Sequence, residues 1–123
     1  MDTYDPACAP DPEAWLALDE DERILLVEAY HEEAGEPVPE AGMTVHVMVE
    51  NQVAEGVETV AATLERLVAE GLDRHEAVHA VGAVLAEEVF HLLQGGDAAE
   101  FRHARYAKRL DRLTAARWRR GKW

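Results

Sequence analysis

Helix stops recur along this chain at helix-length spacings, and almost nothing between them alternates with the period of a strand. Gly35, Gly56, Gly71 and the Gly95-Gly96 pair each follow an apolar, Glu-rich stretch. The ending Val-Ala-Glu-Gly occurs twice, at 53–56 and 68–71. Glycine just past the last turn is a common way for a helix to end. Start signals stand opposite these stops. Asp11-Pro12 places an N-cap before proline at the first helical position. Asp19 with Glu22, and Asp73 with Glu76, have capping-box spacing. Helices are therefore expected over about 11–18, 19–33, 43–55, 58–70 and 73–93, with Asp97 capping a further one to about 119. The segment EPVPEAG at 36–42 reads as a loop because of its two prolines. The fold predicted is an all-α bundle of five or six helices.

A chain of 123 residues suffices for one such bundle, and 48% apolar residues suffice for its core. The 73–93 segment is apolar around most of its circumference through Ala77, Val78, Ala80, Val81, Val84, Leu85, Val89 and Phe90, which predicts a helix surrounded by others. Residues 1–10, polar and broken by proline, read as a flexible lead-in to a single domain over 11–123. That lead-in holds Cys8, the only cysteine, so no internal disulfide and no multi-cysteine zinc site can form. No apolar run approaches the roughly 20 residues that span a bilayer, and no leader pattern opens the sequence. A cytoplasmic protein is expected.

Charge is divided unevenly. Nine of the twelve Lys and Arg lie within 101–123 against one acid, Asp111, giving +8; the first 100 residues carry three bases against 24 acids, giving −21. A basic tail helix (about 98–120) is expected to dock on its own acidic body or on a second copy through Phe101, Tyr106, Leu110 and Leu113. Nucleic acid is a poor partner, since a body of that charge repels phosphate.

Polar residues on apolar faces carry the functional signal. His46 and Glu50 stand one turn apart on the stripe that also bears Met43, Val49 and Val53. His75 and His79 stand one turn apart on the next long helix, with small Gly82 and Ala86 continuing their side. A carboxylate on an apolar stripe is costly unless paired, hydrogen-bonded or bound to a cation. Two such pairs offer imidazole and carboxylate donors suited to Zn²⁺, Fe²⁺ or Mn²⁺. His31 falls on the apolar side of the second helix with Ile24 and Val27. Together with Glu28 or Glu87, it is a candidate fifth ligand or supporting group. Glu precedes His by three residues at 28/31, 76/79, 88/91 and 100/103, the chelating step of di-metal bundles, but Glu-rich helices produce it by chance. The 88/91 pair points away from His75, so a single-metal site is the expectation.

Other chemistries are absent from the sequence. It has no glycine-rich phosphate loop, no His-Glu-x-x-His motif and no serine. The stretch Val45-His46-Val47-Met48-Val49-Glu50-Asn51-Gln52, with Arg74-His75-Glu76-Ala77-Val78-His79 and Leu85-Ala86-Glu87 downstream, resembles the bacterial family known as domain of unknown function 1841. The resemblance spans about residues 40–93 and matches His46, Glu50, Gln52, His75, His79 and Glu87. Val45 stands where the family has a second His, and Asn51 where it has a Glu. The resemblance implies a small helical bacterial protein and brings no activity. Three readings follow: a divalent-metal bundle on the His/Glu pairs; a non-enzymatic interaction protein whose basic C-terminal helix docks an acidic partner or a second copy, with the His/Glu set a metal-free buried polar network; and a small-molecule binder with a histidine-lined pocket.

Overall fold

A computed structural model describes residues 1–96 and 99–123. Seven helices and no strand occur among the described residues: α1 (Pro12–Ala17), α2 (Glu20–Ala34), α3 (Glu40–Ala54), α4 (Glu58–Ala69), α5 (Arg74–Gln94), α6 (His103–Arg112) and α7 (Ala115–Arg119). None of these helices is long and apolar enough to cross a membrane.

The count exceeds the expected five or six because the basic tail is two helices. Its expected cap, Asp97, lies outside the described residues. Leu113 is extended (ψ 128°) and Thr114 restarts the chain, its hydroxyl accepting from the Arg117 amide at 3.0 Å. Helix α3 begins at Glu40, within the expected loop, because Pro39 (ψ 152°) takes the N-cap position and costs no hydrogen bond there. Gly42 in its first turn is needed for space: a Cβ there would lie 2.8 Å from Cγ1 of Val38. The Asp19/Glu22 capping box forms in full. At α5 only half forms. Asp73 accepts from the Glu76 amide, but the Glu76 carboxylate accepts from the indole of Trp118 instead.

Helix α5 packs against α3, α4 and α6, and buries Ala77, Val78, Ala80, Val81, Gly82, Val84 and Leu85. Its last turns emerge from the bundle, so Phe90 is 58% exposed, contrary to its expected core position. A second apolar cluster joins Trp15 of α1, Val27 of α2 and Met43 and Val47 of α3 to Tyr4. The segment before α1 is thus anchored by the buried side chain of Tyr4. Tyr106, Leu110 and Leu113 bury the apolar side of α6, while Arg105 and Arg109 reach Glu88 of α5.

Candidate metal centre

Four histidines from three helices meet where α2, α3 and the first turns of α5 come together. The ring centroids of His31, His46, His75 and His79 are 4.5–5.7 Å apart in all pairings. One nitrogen from each lies within 4.8 Å of the others. Four nitrogens placed tetrahedrally at about 2.0–2.1 Å from one ion are about 3.4 Å apart, so closing onto a metal draws the widest-spaced rings together by up to about 1.4 Å. His31 and His46 are buried, whereas His75 and His79 are half-buried and open to solvent clefts.

Hydrogen bonding selects the inward-facing nitrogens. Nδ1 of His31 lies 2.8 Å from the Val27 carbonyl, which can only accept, so Nδ1 carries the proton and Nε2 the lone pair. That Nε2 lies 3.1 Å from Nε2 of His75. Nδ1 of His75 faces Glu36 at 3.7 Å, which favours the proton on that side as well. Two lone pairs then converge on one point. Such an arrangement calls for a shared proton or a cation.

At His46 the selection runs through three further residues. Arg74 grips Glu50 with two parallel bonds, Nη1 to Oε2 and Nη2 to Oε1, each 2.8 Å. The Tyr4 hydroxyl donates to Glu50 and lies 2.8 Å from Nε2 of His46. Its single proton being committed, the hydroxyl accepts from His46 Nε2–H. The lone pair of His46 therefore sits on Nδ1, which is buried with no hydrogen-bond partner among the described residues, as is Nε2 of His79. Buried polar atoms are nearly always paired, so two orphans in one cluster point to an unfilled bonding role.

The environment disfavours the charged form of three of these rings. Burial, reinforced by the charges that His79, His31 and His75 would carry, holds His46 down at about 2. Burial and the neighbouring His75 and His31 lower His79 to about 4, against the opposing pull of Glu36 and Asp73. His75 is lowered by burial and His31. Neutral imidazole is the form that binds metal. The same burial, with Glu50 alongside, pushes the Tyr4 phenol well above its ordinary range.

Of the residues expected as ligands, His46, His75 and His79 converge, and His31, expected as a fifth ligand or supporting group, lies among them. Glu50, expected as a ligand, is buried but held by Arg74 and Tyr4, because a guanidinium one helix away satisfies a carboxylate without any metal. Glu28 is exposed. Glu87 pairs with Arg109 and accepts from the indole of Trp123. Gln52 accepts from Tyr106 and Asn51 from Trp15, each at 2.8 Å. Tyr4 and Arg74 were not singled out in the sequence; the visible clue to Arg74 was that Glu50 needed a counter-charge, and Arg74 directly precedes His75.

A family model for the domain of unknown function DUF1841 matches residues 7–112, most of the chain. The chain belongs to that family. The match extends well beyond the 40–93 core of the sequence resemblance, taking in α1, α2 and α6. No curated protein and no solved structure matches the chain significantly.

Proposed function

We propose that this chain is a divalent-metal-binding helical bundle whose ligands are His31 of α2, His46 of α3, and His75 and His79 of α5. The observation that carries the reading is a quartet of imidazoles with donor nitrogens within 4.8 Å, two of them orphaned in the interior. A metal-free polar network accounts for the contact between His31 and His75 through a shared proton, but leaves His46 Nδ1 and His79 Nε2 without partners among the described residues. With Glu50 committed to Arg74, the donor set is all imidazole. That composition favours Zn²⁺ or Fe²⁺ over Mn²⁺, which prefers carboxylate oxygen. When bound, such an ion supplies Lewis acidity at a site that solvent reaches past His75 and His79. The protein's part is to hold three of the four rings, His31, His75 and His46, at fixed tautomers, through Val27, Glu36 and the Tyr4–Glu50–Arg74 chain respectively.

Elemental analysis of protein purified without a nickel column is the test. About one equivalent of a transition metal is expected, removed by chelation and restored by zinc or ferrous ion. The His46→Ala/His79→Ala double variant is expected to lose it. Equal metal content in the double variant and the parent would refute the site.

A further inference from the structure

We propose, resting on the metal reading above, that the groove between α3 and α5 binds a short-chain monocarboxylate whose head group completes the metal's coordination. The groove encloses about 250 Å³ and is walled by Val45, Val78, Ala83 and Ala86, with His46 and His79 at its inner side. None of its lining residues is charged or carries a hydroxyl. His46, one of the residues lining the groove, is 2% exposed, and its buried Nδ1 lacks a hydrogen-bond partner among the described residues, so an unmet lone pair belongs to an otherwise apolar lining.

Head and tail of the ligand follow from charge and volume. Four neutral imidazoles leave both charges of a divalent ion uncompensated. The nearby carboxylates do not cancel them: Glu50 is neutralised by Arg74, while Glu36 and Asp73, which pull on His75 and His79, are exposed to solvent that screens them. An uncompensated cation among half-buried and buried rings favours an anionic donor. The apolar walls favour a hydrocarbon chain behind it. At the roughly 30 Å³ that a water occupies in the liquid, the groove takes about eight non-hydrogen atoms. That suits a carboxylate on a tail of a few methylenes.

Cobalt(II) loaded into the metal-free chain gives a visible spectrum that reports ligands entering the coordination shell. Acetate, propionate, butyrate, pentanoate and octanoate are titrated in turn. Affinity is expected to rise about fourfold per methylene to pentanoate and then to level off, as each added methylene is buried until the groove is full. The variants Ala83→Leu and Ala86→Leu, at half-buried positions of α5, fill the groove while leaving every proposed ligand in place. Each is expected to keep the cobalt spectrum and acetate binding and to lose the gain with chain length. A flat series on the cobalt-loaded parent, or an unchanged slope in both filled variants, overturns the groove proposal alone. A parent that takes up no cobalt overturns the metal reading, and this proposal with it.

Discussion

The hydroxyl of Tyr4 and Nε2 of His46 are 42 residues apart in sequence and 2.8 Å apart in space. One hydrogen bond thus ties the N-terminal segment to the candidate metal centre and dictates which nitrogen of His46 is free to bind. Tyr4→Phe keeps the ring in its cluster with Trp15 but removes the acceptor for His46 Nε2–H. Loss of such a supporting bond costs about 10–100-fold in metal affinity. Competition against a chromogenic zinc chelator, beside a circular dichroism spectrum expected to stay helical, measures this. An unchanged affinity would remove the tyrosine from the site.

Arg74 and Glu50 form a buried pair, with the carboxylate side chain fully buried and the guanidinium side chain 13% exposed. Arg74→Met leaves Glu50 buried against His46 and Tyr4 without its counter-charge, a loss expected at about 3–5 kcal/mol. Glu50→Leu with Arg74→Met removes both charges, and is expected to recover much of that stability while weakening metal binding through Tyr4. Urea denaturation of the parent, single and double variants gives the comparison. If the double variant is no more stable than Arg74→Met, the two residues are not coupled.

Helix positions were legible because their signals are local. Glycine stops and aspartate caps act within a turn of themselves, and five helices were expected close to where they stand. The tail helix escaped because its break depends on a threonine hydroxyl at Thr114, and threonine, though favoured at caps, also occurs inside helices, as Thr63 does in α4. At the site, His46, His75 and His79 could be chosen from helical spacing alone. Whether Glu50 or His31 completed the set could not, since that depends on which residue of a different helix lies opposite. Arg74 faces Glu50 because α5 crosses α3 at that point. No pattern within either helix encodes that crossing.

The metal-free protein is expected to lose stability in acid through its histidines. His46 and His79 have folded values of about 2 and about 4, both below the ordinary 6.5. The unfolded chain therefore binds more protons than the folded one in this range, and stability rises with pH. The contribution is fully present above about pH 6.5. It declines as pH falls toward 4 for His79 and toward 2 for His46. Thermal melts of chelator-treated protein between pH 7 and 4 should show a falling midpoint. The doubly substituted His46→Leu/His79→Leu chain should show a shallower fall, and an equal slope would assign the acid sensitivity elsewhere.

The basic tail is expected to behave as a structural clamp. Glu88 of α5 has a side chain only 3% exposed, and it accepts from Arg109 Nη1 at 3.0 Å and pairs with Arg105 Nε at 3.2 Å. Removing both arginines leaves a buried carboxylate with no cation opposite it. Arg105→Ala/Arg109→Ala is therefore expected to cost about 3–5 kcal/mol in denaturant unfolding. Lys108→Ala, on the exposed side of the same helix, is expected to fall within about 0.5 kcal/mol of the parent. Adding Glu88→Gln to the double variant should restore part of the loss, because the neutral amide tolerates burial better than an unpaired carboxylate. A tail that served as a free arm for an acidic partner would give a different pattern: all three arginine and lysine changes would leave stability untouched, and Glu88→Gln would rescue nothing.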